Sequence, residues 1–388
     1  MNHLISRSRL LRTVFFGSFL FALQSALVAY INSTFLSQFI SERFVGFVFT
    51  GGALLTLVSL VFMPRLIRIF GNRRVLLVIL IANFLALIEM VHQSSPHAVI
   101  VAFVAYLLTN NLAIVTFDVF IEHLVEEKST GKLRGAYLSI VNIAWVLSPL
   151  LAAFFIARGG FTLIYTSSLI LVFLTYFSMS TFIRGFTDGI YEREHFFRTI
   201  GRLFKNRSLT IITGINFIIQ FFYAWMIIYT PIYLTQHIGL SWESLGVIFT
   251  VMLLPFVLIP YPLGRIADKK FGEKELLIVG LFVMGASTLA LSIPKAPVIL
   301  VWMAILLMTR IGAATAESMV EVFFFKHVGP KDTGLISLFR DMSPFAFVVA
   351  PLLGTLILNV SSYHILFITL GVIVLIGAIL ALRLKDTR

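Results

Sequence analysis

Long apolar segments separated by short polar connections recur along the whole chain. Each is at least 20 residues long, about the length that an α-helix needs to cross roughly 30 Å of hydrocarbon. Six such segments are followed by a polar segment and then by six more. The predicted spans lie at 13–36, 44–66, 75–94, 98–125, 134–157, 161–183, 209–236, 242–264, 275–294, 297–325, 334–360 and 363–383. The pattern predicts an all-α polytopic membrane protein with twelve transmembrane helices.

The polar segment in the middle divides the chain into two bundles of six helices. Within it, apolar residues recur at helical spacing among arginine and lysine residues, which predicts an amphipathic helix at the membrane surface. These apolar residues are Ile190, Phe197, Ile200, Leu203 and Phe204. The predicted domains are an N-terminal bundle at 1–184, a cytoplasmic linker at 185–207 and a C-terminal bundle at 208–388. A plain connection between the halves is favoured over a binding site for a partner.

The basic residues are distributed unevenly between the two sides of the predicted membrane. Of the 30 Lys and Arg residues, 25 fall at the two termini and the connections on the same side. Only Arg43, Arg158 and Lys295 fall on the opposite side. Because Lys and Arg accumulate on the cytoplasmic side, we expect both termini in the cytoplasm, most simply at a bacterial inner membrane. The net charge of +12 therefore reflects topology and does not indicate nucleic-acid binding.

The composition supports a membrane protein and excludes several kinds of chemistry. Charged residues make up 12% of the chain, too few for a water-facing surface, since soluble domains have about 25%. The chain has no cysteine, its eight histidines show no metal-ligand spacing, and no phosphate-binding loop for ATP occurs. We therefore expect no metal and no cofactor. A membrane-embedded enzyme is an alternative that lacks a catalytic cluster in the spans.

The two halves resemble each other at an offset near 200 residues. The matching segments are FLSQ at 35–38 with YLTQ at 233–236, Phe70-Gly71 with Phe271-Gly272, SPLL at 148–151 with APLL at 350–353, and Asp118/Glu122 with Glu317/Glu321. Six spans per copy is an even number, so both copies have the same orientation and form parallel repeats. That arrangement is typical of transporters that rock two bundles around a site near the midplane.

The chain resembles the major facilitator superfamily over essentially its whole length. The most specific segment is GRIADKKFGEK at 264–274, which is similar to that family's loop signature, a Gly-x-x-x-Asp core followed by glycine and basic residues. The resemblance implies an MFS-type fold in which Gly264, Asp268 and Lys274 help to latch the halves at the cytoplasmic side. Gly264 is expected to permit close helix contact. The first-half copy has Pro64 and Arg68 in place of the glycine and the aspartate, so the same latch is not expected there.

Span five is also similar to the signature of the twelve-span drug/proton antiporters of this family. Its small residues are Gly135, Ala144, Ser148, Pro149, Ala152 and Ala153. Span eleven carries a comparable set, and small residues let helices approach closely in lipid. We therefore interpret the pattern chiefly as packing, and it favours export only slightly. The family's arginine in span four is absent, whereas Arg310 stands at the corresponding place in span ten.

Acidic residues inside spans four and ten are candidates for proton coupling. An ionisable group in hydrocarbon costs at least about 2.5 kcal/mol, so each needs a partner or a function. An apolar environment favours the neutral form of a carboxyl group and a nearby cation favours its charged form, so Asp118 or Glu317 could exchange a proton during transport. For Glu122 and Glu321 we favour bracing of the cytoplasmic gate. The basic residues and neighbours assigned to this charge relay are Arg73, Arg74, Lys274, Arg340 and Asp341.

Other polar residues of the spans are candidates for binding the solute. Arg310 is the best candidate to hold an anionic group, although an ion pair with Glu317 or Asp341 is equally consistent with the sequence. Amides and aromatic side chains of spans one and seven could line a cavity for an amphipathic solute. These residues are Gln24, Asn32, Asn216, Gln220, Tyr223 and Trp225.

The favoured function is secondary active transport of a small molecule by alternating access, coupled to protons, with export of an amphiphilic compound slightly ahead. An uptake permease or facilitator for a small nutrient, a lipid flippase and a sensor that no longer transports are the alternatives. The expected partners are the lipid bilayer, a small-molecule substrate and protons, with no nucleic acid, and the expected state is a monomer.

Overall fold

A computed structural model of the chain describes residues 7–124, 130–183, 196–267, 272–329 and 332–384. All secondary structure within these ranges is helical. Contacts within the chain divide it into two compact units, Met1–Glu192 and Arg193–Arg388.

Unit 1 contains six helical elements, two of which differ from single straight spans. The elements are α1 Arg7–Ala29, α2 Asn32–Leu36, α3 Glu42–Phe70, α4 Asn72–His92, α5 Pro96–Leu124 and α6 Thr130–Phe182. Predicted span one is interrupted between α1 and α2. The long α6 leaves helical geometry at Gly159 (φ −154°) and Gly160 (φ 59°), so it consists of two helices, as the sequence predicts for spans five and six.

Unit 2 begins with the linker helix and contains several broken spans. Its α-helices are α7 Phe196–Lys205, α8 Arg207–Ile232, α9 Trp242–Leu253, α10 Pro255–Leu258, α11 Pro260–Ile266, α12 Glu273–Ala290, α13 Ile299–His327, α14 Thr333–Arg340, α15 Met342–Val360 and α16 Tyr363–Ala381. A π-helical turn, Tyr233–His237, continues α8. Prolines at 255 and 260 divide predicted span eight into α9, α10 and α11, because proline cannot donate the helical hydrogen bond.

Twelve membrane crossings follow from the described helices. Ten segments are long and apolar enough to cross a bilayer by length and composition. One of these, 139–182, contains the two helices of α6. The remaining crossing is α12, whose 18 residues would extend about 27 Å and whose first turn is charged. The count of twelve agrees with the sequence prediction.

The repeat is visible in local structure. Gly71 and Gly272 each precede the first residue of a helix, α4 and α12, with φ of 82° and 70°. These left-handed conformations favour glycine, which explains why Phe-Gly occurs in both halves. The two matching tetrapeptides also have the same kind of local hydrogen bond. In each, a hydroxyl, that of Ser37 or Thr235, donates to a backbone carbonyl one turn earlier in its own segment.

Glycines bring the backbones of neighbouring helices into contact in unit 2. A Cβ atom at Gly312 of α13 would lie 2.4 Å from the backbone nitrogen of Met284 in α12. A Cβ atom at Gly371 of α16 would lie 3.0 Å from the backbone nitrogen of Leu289, also in α12. Small residues allow the close van der Waals packing that associates helices in lipid, so α12 packs tightly between α13 and α16.

The structure describes the second part of the linker, which forms helix α7. Leu203 of α7 is buried, whereas Phe204 is 68% exposed. Arg202 forms an ion pair with Asp332 at the N-terminal end of α14. The linker helix therefore packs within unit 2.

Candidate functional site

The charged face of α13 carries the clearest candidate site in unit 2. Arg310 and Glu317 lie seven residues apart, so they occupy the same face two turns apart. The Arg310 side chain is almost completely buried, at 1% exposure. An ionised guanidinium at such a position needs compensating interactions, and α8 provides them.

Two aromatic rings of α8 lie beside the Arg310 guanidinium. Its central carbon is 5.2 Å from the ring centroid of Phe222 and 5.6 Å from that of Tyr223. Cations within about 6 Å of a ring face are attracted by the ring electrons. The hydroxyl of Tyr223 donates a 2.7 Å hydrogen bond to Oε2 of Glu317. Tyr223 therefore contacts both Arg310 and Glu317, and the three residues define the unit 2 charged site.

The remaining candidates of span seven hold helices together. Asn216 donates a 2.8 Å hydrogen bond to the carbonyl of Phe339, at the end of α14. Trp225 is fully buried and donates to the carbonyl of Ala350 in α15. Gln220 is half-buried and lies one turn before Tyr223, on the same face of α8. The structure thus brings Tyr223 to the charged site and gives Asn216 and Trp225 contacts with backbone carbonyls.

A second polar cluster lies in unit 1. Gln24 Nε2 donates to Oδ1 of Asn110 at 2.8 Å, and the hydroxyl of Ser25 lies 2.7 Å from the same oxygen. The hydroxyl of Tyr165 donates to Oδ1 of Asn32 at 2.9 Å. The phenol of Tyr106 lies beside the Gln24 and Asn32 side chains, between the two parts. We call these six uncharged residues the unit 1 polar network; they are Gln24, Ser25, Asn32, Tyr106, Asn110 and Tyr165.

Sequence reasoning selected only Gln24 and Asn32 from this network. Tyr106 and Tyr165 were missed because a tyrosine in an apolar span gives no signal of its own in a chain rich in aromatic residues. Asn110 lies in span four, where the sequence analysis records only that the family's arginine is absent. The amide side chains in spans one and four, considered together, were the feature of the sequence that could have revealed this network.

Asp118 occupies a different environment from Glu317, although the repeat relates them. The Asp118 side chain is exposed in the conformation that the structure shows. The hydroxyl of Tyr137 lies 3.4 Å from its Oδ1. Each unit therefore places a tyrosine beside the acidic residue, but that tyrosine comes from α6 in unit 1 and from α8 in unit 2.

The structure describes some of the candidate gating residues. Glu321 and Arg340 are exposed, whereas Lys274 and Asp341 are half-buried. Asp341 lies at the break between α14 and α15. Asp268 and the side chain of Glu122 lie outside the described residues.

The close helix contact expected at Gly264 does not occur with any residue that the structure describes. A Cβ atom at that position would meet nothing within 4 Å. The prolines around it break span eight into short helices, and the glycine lies where no described neighbour approaches.

An ion pair that the sequence analysis missed lies near Lys274. Glu273, with a side chain only 3% exposed, bonds to Lys326 at the end of α13. Arg73, which the sequence analysis assigned to the charge relay, donates a 2.6 Å hydrogen bond to the carbonyl of Ser180. Among the described residues, no group of three or more His, Asp or Glu side chains could hold a metal ion.

Solved structures of similar fold are transporters. The chain is similar to an auto-inhibited POT family peptide transporter, with a TM-score of 0.80, 10% sequence identity and 98% of each chain covered. It is also similar to the POT family transporter PepTSo, with a TM-score of 0.78, 9% identity, and 96% of this chain and 97% of that one covered. At these identities the similarity establishes the fold alone. No curated protein sequence matches the chain.

The family comparison covers nearly the whole sequence. The profile of the Major Facilitator Superfamily matches residues 14–337 and, in a second match, residues 214–388. The loop segment at 264–274, the twelve crossings and the parallel repeat agree with that match. The protein belongs to the major facilitator superfamily.

Proposed function

We propose that this transporter couples movement of an amphiphilic small solute to protons, with Glu317 as the residue that carries the proton. As a member of its superfamily it is a multi-pass membrane transporter. The proposal concerns coupling, direction and the residues involved. Export by exchange with protons is the direction that we favour, with both termini in the cytoplasm, as the distribution of Lys and Arg supports.

The observation that carries the proposal is the contact of Tyr223 with both Glu317 and Arg310. Arginine remains positively charged, whereas a carboxyl group gains or loses its charge with a proton. The charge of this site therefore depends on whether Glu317 is protonated. A solute that interacts with one of these charges changes the affinity for the proton, and by linkage the proton changes the affinity for the solute.

Export of a cationic amphiphile follows from competition at Glu317. A proton and a cation both bind the ionised carboxylate and neutralise its charge. They therefore compete, and binding of one favours release of the other. The aromatic ring of Tyr223 provides apolar surface beside the carboxylate, and that of Phe222 lies beside the guanidinium. Exchange of a cation for a proton across the membrane uses this competition in each transport cycle.

Uptake of an anion is the second candidate, and the buried Arg310 favours it. A solute carboxylate could bind the guanidinium when Glu317 is protonated. Proton and anion would then bind together and move in the same direction. The sign of the solute charge therefore distinguishes the two candidates.

Purified protein in proteoliposomes with an imposed pH gradient tests the proposal. Ethidium serves as an amphiphilic cation and benzoate as an anion. Gradient-driven flux of ethidium against the proton flow is expected, and flux of benzoate with the proton flow would support the second candidate. If the gradient and the double variant Asp118→Asn/Glu317→Gln both leave transport of either compound unchanged, coupling through these carboxyl groups is refuted.

A further inference from the structure

The linker helix α7 joins α8 through a short corner that hydrogen bonds hold in place. α7 ends at Lys205 and α8 begins at Arg207. The side chain of Asn206, between them, accepts hydrogen bonds of 3.1 and 3.2 Å from the backbone nitrogens two and three residues later. The hydroxyl of Thr210 in α8 donates to the carbonyl of Leu203 in α7 at 2.9 Å. These bonds fix the end of α7 relative to the start of α8.

The sequence places this corner at the level of the lipid headgroups. The predicted hydrocarbon segment of span seven begins at residue 209. Arg207 lies two residues earlier, which corresponds to about 3 Å along the helix axis. The headgroup layer on each side of a bilayer is about 5–7 Å thick. The corner lies on the side where Lys and Arg accumulate, which is the predicted cytoplasmic side, and the cytoplasmic leaflet carries anionic lipids.

Helix α7 has one side packed on the protein and another side that is open. Leu203 is buried, and Arg202 forms the ion pair with Asp332 of unit 2. On the open side, Phe204 is 68% exposed. A Cβ atom added at Gly201, one turn before Lys205, would meet none of the described residues within 4 Å.

The charge around the open side is positive. Residues 196–207 include four basic residues and no acidic residue. Of these, Arg202 has a counter-ion in Asp332, whereas Lys205 and Arg207 are exposed on either side of the corner. An exposed phenyl ring is therefore adjacent to two exposed cations at the predicted level of the headgroups.

We propose that the α7–α8 corner, defined by Phe204, Lys205 and Arg207, binds an anionic phospholipid of the cytoplasmic leaflet. Lys205 and Arg207 contact the phosphate, and Phe204 contacts the upper part of the acyl chains. The inference goes beyond the proposed transport function, since it involves neither the solute nor the proton. It gives the linker a binding role in addition to its role as a connection between the halves.

The combination of the ring and the two cations favours a lipid over a soluble phosphate compound. A cation near an anionic membrane surface strengthens binding about fivefold, and burial of a phenyl ring away from water is also favourable. A basic amphipathic helix with an exposed aromatic ring combines both contributions at the membrane interface. A soluble phosphate compound would bind the cations but leave the Phe204 ring in water.

Lipid quenching of a fluorophore on the open side of α7 tests the inference. The chain has no cysteine, so Gly201→Cys provides a single labelling position for bimane. The labelled full-length protein is reconstituted into phosphatidylcholine nanodiscs that contain increasing amounts of either brominated phosphatidylglycerol or brominated phosphatidylcholine. Bromine quenches the fluorophore on contact, so the ratio of the two quenching curves measures the preference for the anionic lipid.

Three further changes are made in this labelled protein. Lys205→Gln/Arg207→Gln removes both cations of the corner. Arg65→Gln/Arg68→Gln is the matched control, because it removes the same charge from two exposed residues near the end of α3 on the same predicted side. Phe204→Ser removes the ring and is expected to reduce quenching by both lipids while the ratio stays above one.

The labelled protein with its native corner is expected to prefer phosphatidylglycerol about fivefold or more, the effect of at least one cation near an anionic surface. Lys205→Gln/Arg207→Gln should reduce the ratio to about one, whereas the control pair should keep it. Equal quenching by the two lipids, or an equal loss of preference in the control pair, would overturn the inference. Loss of the preference on addition of glycerol 3-phosphate at constant ionic strength would assign the corner to a soluble phosphate compound and would also overturn it. The measurement uses no solute and no pH gradient, so its outcome is separate from that of the coupling test.

Discussion

Tyr223 donates a 2.7 Å hydrogen bond to Glu317 while its ring lies 5.6 Å from the Arg310 guanidinium carbon. One side chain of α8 therefore contacts two ionisable residues on one face of α13. A change of charge at Glu317 alters its interaction with Tyr223, which also contacts Arg310. This relationship supports the assignment of coupling to unit 2.

Replacing Tyr223 by phenylalanine separates its two contacts. Tyr223→Phe keeps the ring beside Arg310 and removes the donor to Glu317. A hydrogen bond to a charged group contributes about 1.5–3 kcal/mol, so gradient-driven transport should fall about tenfold or more. Tyr261→Phe is the control, because Tyr261 is 70% exposed and should keep wild-type activity. Equal activity of the two variants would show that the hydrogen bond is not used.

Replacing Arg310 by lysine tests whether charge alone is sufficient. Lysine keeps the positive charge but lacks the planar guanidinium that stacks on aromatic rings. We expect Arg310→Lys to reduce transport about tenfold, as for the loss of about 1.4 kcal/mol. Arg158→Lys is the matched control, since Arg158 lies 3.5 Å from the Phe154 ring centroid at an exposed position. Wild-type transport by Arg310→Lys would contradict a specific role for the guanidinium.

Adding a methyl group at Gly312 should destabilise unit 2. The new Cβ would lie 2.4 Å from the backbone nitrogen of Met284, and backbone cannot rotate away as a side chain can. Overpacking of this kind costs about 1–3 kcal/mol, so the apparent melting temperature should fall by roughly 5 °C. Gly214→Ala is the control because its Cβ meets nothing within 4 Å. A melting temperature for Gly312→Ala at or above that of Gly214→Ala would contradict the close contact.

Because Glu273 and Lys326 form an ion pair, we expect the losses of stability caused by substituting each of them to be non-additive. Lys326→Met leaves a carboxylate with 3% exposure without that cation. Breaking a buried pair costs about 3–5 kcal/mol, and the half-exposed lysine places this case at or below the lower end. The double variant Lys326→Met/Glu273→Gln should recover part of the loss, by about 0.5–3 kcal/mol. Strictly additive melting temperatures would show that the two side chains do not interact.

Hydropathy and the repeat together predicted most of the fold. The division of α6 near Gly159 lies between predicted spans five and six, because the apolar run is interrupted there. The Phe-Gly pairs at 70–71 and 271–272 mark equivalent helix starts. The breaks between α1 and α2 and between α14 and α15 were not predicted. Tyr30 and Ile31 at the first break continue the apolar run, and the charged pair Arg340 and Asp341 at the second was interpreted as part of the charge relay.

The side-chain partners could be predicted only in part. The spacing of Arg310 and Glu317 on one helix is visible in the sequence, because helical geometry fixes which residues share a face. Tyr223 reaches Glu317 across 94 residues of chain, and Glu273 reaches Lys326 across 53. Such pairings depend on how helices rotate and cross, which small residues such as Gly312 determine through packing.

Proton movement accompanying solute flux is the most direct test of the account. Wild-type protein and the Glu317→Gln variant would each be reconstituted into liposomes that contain the pH-sensitive dye pyranine. The transported compound would then be added outside. We predict a change of internal pH with solute flux in the wild type. The Glu317→Gln variant should exchange solute across the membrane without any pH change. A pH change of wild-type size in Glu317→Gln, at equal solute flux, would contradict the account.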